Sequence, residues 1–428
     1  MLRNCTLHFL KINWIFNAHK TCVILCVGVF LFASNVFAQT NPNYISKEDS
    51  IAQCEKASKE MDIVDLYRMV IKKPIKDSCA PSKKTGKLQK AVVPAAGYSL
   101  ATKFGVVITA NGAFYTDNEK STKLSAINTS ISYTQNNQII LPILTNIWTR
   151  KNSFNLLGDW RYYKYPEYTY GLGGHTTEQN LNRLNYSYII IHQAVLKHIY
   201  NTAFYAGMAY NLNYHWNISE DGNANGVVSD FKKYGLNKKS VSSGVSLNVL
   251  YDSRKNSINP TDAAYASIAF CPNFTFLGSD YNYRSLIIDL RKYIKVGKHD
   301  NVLAFWNYNW FTFNGQVPYL DMPSTAWDPY SNIGRGYIQS RFRGKNLLYA
   351  EAEYRFGIMR NGFLGGVVFA NAQTVTDWPS NKFQTFYPAV GTGIRIKINK
   401  DSRTNLAIDY AIGINGSNGI FINLGEVF

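Results

Sequence analysis

The stretch SNIGRGYIQSRFRGKNLLYAEAEYRFGI, residues 331–358, contains side chains that could form ion pairs with one another. Its first half contains three glycines and three arginines, Arg335, Arg341 and Arg343. Its second half contains Glu351 and Glu353. A guanidinium group can hold a carboxylate through two parallel N–H···O hydrogen bonds, so these residue types could join a loop to a strand. The alternative is that the arginines are ordinary solvent-facing charges of a loop.

The second half of this stretch has the period of a β-strand. From residue 347 the odd positions read Leu, Tyr, Glu, Glu, Arg, and the even positions read Leu, Ala, Ala, Tyr, Phe. Side chains alternate between the two faces of a strand, so this one has a polar face and an apolar face. A soluble β-sandwich would give the same period. The rest of the chain must therefore decide whether the apolar face meets a protein core or lipid.

The N-terminal residues are typical of an export signal. An apolar run at 22–33, CVILCVGVFLFA, is followed by small or apolar residues and a plausible cleavage site before Gln39, and is preceded by Arg3, Lys11 and Lys20. We predict that residues 1–38 are a signal peptide. The apolar run is shorter than the roughly 20 residues of a membrane-spanning helix, which disfavours the alternative of an N-terminal anchor.

Composition after the signal favours strands and turns over helices, because 14% of the chain is aromatic. The formal net charge is +17, of which the signal contributes three charges. For an exported protein we expect this charge to meet anionic lipid head groups or to line a basic lumen, and we expect no nucleic acid partner.

Cysteine and histidine positions indicate no metal site, and we expect no cofactor. Three cysteines follow the signal, Cys54, Cys79 and Cys271, and an odd number excludes a fully paired intramolecular set. A bridge between the first two stays open in an oxidising compartment. No CxxC pair or cluster of Cys and His is present in the sequence.

Residues 39–91 differ from the rest of the chain. Apolar residues recur at helical spacing at Ile63, Leu66, Tyr67 and Val70, and a basic segment rich in turn formers follows. We predict a short amphipathic helix and a linker, located in the periplasm or threaded near the lumen. The alternative is a disordered leader in which a helix forms transiently.

From residue 92 to 428 extended segments alternate with turn signals. Several are longer than the usual strand of about five or six residues. They fit the roughly 9 to 11 residues of a tilted strand that crosses a bilayer. We predict strands near 103–117, 122–136, 138–150, 152–169, 181–198, 201–217, 240–253, 262–275, 281–296, 301–314, 346–358, 363–375, 386–399, 402–414 and 418–428, with a short one at 95–101.

Alternation near the C-terminus is the clearest. Between 390 and 398 the isoleucines share one face, and Arg395 and Lys397 share the other. Backbone groups in lipid must be paired internally, so such strands have to close into a barrel with an apolar exterior. The predicted fold is all-β, a closed antiparallel transmembrane β-barrel of 16 strands in the cell outer membrane, with long external loops at 218–239 and 314–345. A soluble sandwich or propeller is the alternative.

Several motifs resemble the BamA/TamA-like outer-membrane proteins, the bacterial surface antigen family. Arg335-Gly336-Tyr337 resembles the Arg-Gly-aromatic motif of that family's sixth external loop. YDSRKNSINPTDAAY, 251–265, resembles its Tyr-Asp-x-Arg-x-Asn strand end with a following proline, and AAGYSLATKFG, 95–105, is similar to its first hairpin. The terminal Phe428 is typical of chains that the barrel-assembly machinery inserts. Together the similarity covers residues 92–428.

The resemblance implies that the Arg-rich loop folds back into the lumen. Glycines there would permit the tight reversal, and Arg335 would pair with a carboxylate of the wall, Glu353 or else Asp409. Glu351 is a further inward acidic position. The sequence departs from the family in two places: Asn371 stands where many members carry an inward Asp, and Ala263 stands where Gly usually follows the proline.

The resemblance also implies a role in inserting or translocating protein or lipid at the outer membrane. Its expected partners are outer-membrane lipid and the barrel-assembly machinery. Residues 39–91 are too few for a periplasmic receptor module, so the alternative is a passive plugged pore, or an anchor for a periplasmic protein that binds residues 39–91. We expect no enzyme, because HExxH, GxSxG, P-loop and EF-hand patterns are absent from the sequence. A barrel phospholipase would use a Ser/His pair, and those two residues would be close to each other only in the folded chain, not in the sequence.

Overall fold

The computed structural model describes residues 60–74, 88–99, 101–117, 122–200, 202–223, 225–235, 237–254, 256–297, 301–400 and 403–428. The predicted signal peptide, Cys54 and Cys79 lie outside these residues. Cys271 is a free thiol. Within the described ranges, no helix has the length and apolar character needed to cross a membrane.

The described part of the chain forms one antiparallel sheet with seventeen strands, sixteen of them seven to seventeen residues long. The strands are β1 (Gln89–Ser99), β2 (Lys103–Phe114), β3 (Ser125–Thr134), β4 (Ile139–Trp148), β5 (Phe154–Lys164), β6 (Glu167–Thr169), β7 (Asn182–His198), β8 (Phe204–Glu220), β9 (Lys239–Asp252), β10 (Ala263–Asn273), β11 (Tyr283–Val296), β12 (Asn301–Phe313), β13 (Asn346–Gly357), β14 (Leu364–Val375), β15 (Tyr387–Asn399), β16 (Thr404–Gly413) and β17 (Asn418–Leu424). The α-helices are α1 (Ile63–Val70) and α2 (Asp230–Gly235), and 3-10 turns lie at Arg150–Asn152, Glu178–Asn180, Thr275–Leu277 and Tyr319–Asp321.

Long strands pair with their sequence neighbours throughout, from β1 with β2 to β16 with β17. The three-residue β6 pairs with β7 beyond the end of β5. Strands β1 and β17, at the two ends of this series, lie beside each other with Cα atoms within 8 Å. The connectivity is therefore a meander whose first and last strands are neighbours.

Sixteen long strands confirm the predicted number, with two differences in their bounds. The predicted strand 152–169 is interrupted, because Pro166 has no N–H to continue the ladder, and β6 resumes after it. Strand β1 begins at Gln89 rather than near 95, inside the segment predicted to be linker. The basic residues and Pro94 in this segment are more typical of a linker than of a strand. A proline is nevertheless tolerated in a strand at the end of the series.

The predicted alternation of faces is confirmed by burial. In β13 the odd positions from Leu347 to Arg355 are buried, and in β15 Arg395 and Lys397 are buried. The apolar residues of the opposite parity, among them Val390 and Ile394, are exposed. The sheet therefore has a buried face that carries its charges and an exposed face that is apolar.

Helix α1 forms where the apolar spacing predicted it. Asp62 is its N-cap and accepts hydrogen bonds from the backbone N–H groups of Val64 and Asp65, both at 3.0 Å. Such a cap satisfies donors that a first helical turn leaves without partners. The helix contacts the end of β15, with Asp65 buried and its apolar residues exposed.

Candidate functional site

The segment between β12 and β13, residues 314–345, packs on the buried face of the sheet, and we name it the docked loop. Two apolar clusters join it to the strands. Ile333 and Phe342 pack in one of them with Trp306, and Val317 and Met322 pack in the other with residues that include Leu184. Side chains from both the loop and the wall are thus removed from water, which favours docking.

Arg335 forms more ion pairs than any other residue of the docked loop. Its guanidinium Nη1 donates to Asp409 Oδ2 at 2.5 Å, and Nη2 donates to Glu351 and Glu353. None of these four side chains is exposed. The guanidinium carbon also lies 3.6 Å from the ring centroid of Phe369, a cation–π contact. One loop cation is therefore held by strands β13, β14 and β16 together.

A second set of basic residues shares these carboxylates. Arg355 donates to Glu353 at 2.7 Å, and Arg395 donates to Asp409 at 2.5 Å. Both arginines also reach Glu426, which follows β17, at 3.7 and 2.8 Å. Arg335 thus completes a connected network of guanidinium groups and carboxylates rather than a single pair.

The electrostatics of this network favour the charged form of Arg335. Burial by itself would lower the pKa of a guanidinium group, since removal from water disfavours the charge. The carboxylates of Glu351, Glu353 and Asp409 outweigh this effect and raise the pKa of Arg335 well above its usual value. The cation therefore stays charged and remains bound to the wall.

Neighbouring residues of the motif fix the position of the loop. Gly336 has φ +107°, and a Cβ there would lie 2.6 Å from the Cβ of Ala389, so a side chain at this position would both strain the backbone and collide with the wall. The hydroxyl of the buried Tyr337 donates to the carbonyl of Pro388 at 2.7 Å and accepts from the N–H of Ile414 at 3.1 Å.

Each predicted partner of Arg335 lies near it, but in different roles. The resemblance implied Glu353 or else Asp409, and the structure brings both together with Glu351 around one guanidinium group. Asn371 binds the loop backbone instead: its Nδ2 donates to the carbonyl of Arg335 at 3.0 Å. The loop is therefore held at this strand without an inward Asp.

A second anchor lies at Arg343, near the C-terminal end of the docked loop. Its side chain is fully buried, and Nη2 donates to Glu167 Oε1 in β6 at 3.0 Å. The same guanidinium group donates to the carbonyl of Tyr319 at 3.0 Å. Ser340 completes the site by donating to Glu167 Oε2 at 2.9 Å. This arginine is therefore structurally distinct from Arg341.

Asp321 forms a third polar contact between the docked loop and the sheet. It accepts from Asn213 in β8 at 2.9 Å and from Ser242 in β9 at 2.6 Å. Asp328 acts within the loop, where it accepts from the N–H groups of Asn332 and Ile333. Burial raises the pKa of Asp328, although these backbone donors favour its charged form.

The terminal Phe428 is placed in the core. Its ring stacks on Trp306 at 5.1 Å between centroids, and its carbonyl accepts from Arg355 at 3.1 Å. Asn332 of the docked loop donates to the neighbouring Val427 carbonyl at 2.7 Å. The chain after β17 thus turns onto the buried face and joins the docked loop.

Sequence reasoning missed several members of these sites. Arg355 and Arg395 lie on the inward parity of their strands, so their positions could have been inferred from alternation. Glu167 carried no such signal, since it lies 176 residues before its partner Arg343.

The motif YDSRKN forms a local pair in which Arg254 donates to Asp252 at 2.9 Å. This pair lies on the wall rather than on the docked loop.

Because Gly393 has no side chain, the carboxylate of Asp409 has room to reach the network. The two residues are opposite each other in β15 and β16, and a Cβ on Gly393 would lie 1.9 Å from Asp409 Oδ1. We expect Gly393→Ala to displace this carboxylate and to lower the free energy of unfolding by about 1–3 kcal/mol, the usual range for overpacking. Heat-dependent migration in gel electrophoresis would measure the loss.

Gly357→Ala is the matched control for this substitution. Gly357 ends β13, and the nearest atom to an added Cβ there is the Met359 carbonyl oxygen at 4.0 Å. We expect its unfolding temperature to equal that of the wild type. Equal unfolding temperatures for both glycine variants would contradict the assigned position of Asp409.

Chemically, the network is suited to holding a loop. Its charged groups bind one another, and among the described residues no group of three His, Cys, Asp or Glu side chains could hold a metal ion.

The amino-acid sequence matches no protein-family model and no curated protein. Solved structures do resemble the fold. CdiB from Escherichia coli matches with a TM-score of 0.52 at 7% identity, over 81% of this chain and 63% of that chain. BamA from Haemophilus ducreyi lacking POTRA domains 1-3 matches with a TM-score of 0.49 at 12% identity, over 90% of this chain and 83% of that chain.

The fold is thus similar to that of an outer-membrane β-barrel. The predicted resemblance to BamA/TamA-like proteins is confirmed at the level of the fold. The chain spans less than two thirds of the CdiB chain, and at 7% identity this likeness concerns the fold alone.

Proposed function

We propose that the chain is a closed β-barrel of the cell outer membrane that assists the insertion or translocation of protein or lipid there. The observation that carries the proposal is the anchoring of Arg335 to Glu351, Glu353 and Asp409, which fixes a long loop on the charged face of the sheet. In a closed barrel this face is the lumen, and the docked loop fills it.

Membrane insertion is supported by the exposed face of the sheet. Large apolar side chains stand out along the strands, including Val390, Tyr410 and Ile412. A surface of this kind is costly in water and is the expected exterior of a transmembrane barrel. The partners of this surface are outer-membrane lipid and, during biogenesis, the barrel-assembly machinery, for which Phe428 stays the predicted signal.

A weak seam supports the proposed activity. Strand β17 has seven residues, fewer than any other long strand, and Gly425 with φ +100° turns the chain away after it. A seam between β17 and β1 is therefore limited by the short β17 to few ladder hydrogen bonds and would open at lower cost than a pairing of two longer strands. Such an opening would give a client protein or lipid lateral access. This role requires no catalytic group.

A passive plugged pore, or an anchor for a periplasmic protein, is the second candidate. It is favoured by the density of contacts on the docked loop and by the exposed apolar face of α1.

Conductance tests the plugged lumen, and deletion of the gene separates the two functions. We expect purified protein in planar bilayers to show low conductance with brief openings, because the docked loop fills the lumen. A large and steady conductance would contradict the plugged lumen and favour an open passive channel. In cells, deletion of the gene should change outer-membrane protein or lipid composition if the chain assists insertion. An unchanged composition, with a stable partner captured by residues 39–91, would favour the anchor.

A further inference from the structure

Helix α1 is held to the sheet by its acidic side. Asp65 accepts from Lys400 Nζ at 2.7 Å, and Asp62 accepts from the Lys400 backbone N–H at 3.1 Å. Glu60, just before the helix, pairs with Lys397. The N–H of Met61 also donates to the carbonyl of Asn361 at 2.9 Å. These contacts fix the helix at the end of the strands where the turns are short.

The opposite side of α1 is apolar and exposed. Tyr67 and Val70 are 64% and 75% exposed, and Ile63 and Leu66 lie on the same side of the helix. A helix usually buries its apolar stripe against its own protein. Here the stripe that predicts the helix faces away from the sheet, so something outside the described chain has to cover it.

Exposed apolar residues of the sheet lie near the start of α1. The turn that binds Met61 follows β13, and it carries Ile358 and Met359, which are 52% and 46% exposed. Ile358 has the outward parity of β13, whose outward residues include Tyr354 and Phe356. In the proposed barrel that row faces lipid. The helix therefore begins beside the edge of that surface at the end with short turns.

The charges around this surface fit phospholipid head groups. The three acidic residues of the described segment 60–74 all bind wall lysines or their backbone. The basic residues Arg68, Lys72 and Lys73 lie in the last turn of the helix and just beyond it. A short amphipathic helix with basic flanking residues is suited to the interface of an anionic bilayer.

We propose that α1 is a membrane-surface helix, with Ile63, Leu66, Tyr67 and Val70 inserted among phospholipids of the periplasmic leaflet. This inference rests on the proposed outer-membrane barrel. The salt links to Lys397 and Lys400 hold the helix at the rim of the barrel, and the bilayer covers the side that the protein leaves exposed. The helix would thereby fix the start of the linker to β1 at the membrane surface.

Spin labels test this placement in the full chain, reconstituted in vesicles of phosphatidylethanolamine and phosphatidylglycerol. The protein would carry serine in place of its own cysteines, and labels would be attached in separate variants at Val70→Cys, Lys73→Cys and Ala352→Cys. Ala352 has the outward parity of β13 and reports on the barrel itself. We expect the Val70 label to be more accessible to oxygen than to a water-soluble nickel complex, and the Lys73 label to show the reverse order.

The outcomes separate the helix from the barrel. A lipid-exposed label at Ala352 with a water-exposed label at Val70 would overturn the membrane-surface helix and leave the barrel standing, and a protein partner would then have to cover the stripe. Water-exposed labels at both positions would overturn the barrel as well. A label at Val70 that was covered by protein would be shielded from both oxygen and nickel, so accessibility to oxygen without accessibility to nickel identifies the bilayer as the cover.

The salt links give a second test. Asp65→Asn weakens the bond to Lys400, so we expect the Val70 label to become more mobile while it keeps its preference for oxygen. An unchanged spectrum would show that these links do not hold the helix.

Discussion

Arg335→Ala is expected to release the docked loop from a sheet that stays assembled. The substitution removes the cation that binds Glu351, Glu353 and Asp409, all of which are fully buried. Breaking a buried ion pair by removing one partner costs on the order of 3 to 5 kcal/mol, because the other charge is left in a poor environment. Arg355 and Arg395 remain beside these carboxylates, so the barrel should still insert.

Proteolysis measures the release directly. Chymotrypsin is suitable because Arg335→Ala removes a trypsin site but no aromatic site between Asp328 and Lys345. We expect faster cutting in this segment for Arg335→Ala than for the wild type, together with larger and noisier conductance. Arg335→Lys should restore only part of the protection, because an ammonium group lacks the planar fork that can contact several carboxylates at once.

Arg341→Ala is the matched control in the same loop. Its guanidinium group binds Thr176 and stacks on the rings of Tyr170 and Phe342, but it forms no ion pair in the described structure. We expect this variant to be cut at close to the wild-type rate. If Arg335→Ala is also cut at the wild-type rate, then Arg335 does not hold the loop in solution.

The inward residues of the wall could be predicted from the sequence because side chains alternate between the two faces of a strand. A period of two places Glu351 and Glu353 on one face whatever surrounds them, and Asp409 follows by the same argument. The register between strands was beyond such reasoning. Whether Glu351, Glu353 or Asp409 reaches Arg335 depends on how β13 and β16 are staggered, and the structure satisfies all three.

The loop and both termini were harder to predict for a different reason. Arg341 and Arg343 have similar local sequence, yet Arg341 is half-buried and binds Thr176, whereas Arg343 is fully buried against Glu167. The spacing of α1 predicted a helix but not which side would face the protein, since its acidic cap residues do the binding. Phe428 turns onto the buried face after Gly425, where an alternating pattern has already ended.

Arg343→Ala is expected to free the C-terminal end of the docked loop, with an effect as large as that of Arg335→Ala. The substitution leaves the buried Glu167 without its cation and removes donors from the carbonyls of Tyr319 and Leu320. The expected loss is again on the order of 3 to 5 kcal/mol. Glu167→Gln should produce a smaller loss, because an amide still accepts a hydrogen bond from Arg343. Thermal unfolding in detergent would rank the stabilities of the wild type, Glu167→Gln and Arg343→Ala.

The double variant Arg335→Ala/Arg343→Ala shows whether the docked loop behaves as one unit. If the two anchors act independently, the losses in unfolding free energy should add, as they do for independent sites. The shared apolar clusters of the loop argue for coupling, since the loss of one anchor already weakens the packing around the other. We therefore expect the double variant to lose less than the sum of the single variants, and to show the largest conductance of the series. Strict additivity, with conductance no greater than in Arg335→Ala, would mean that the part of the loop around Arg343 stays docked through its apolar contacts alone.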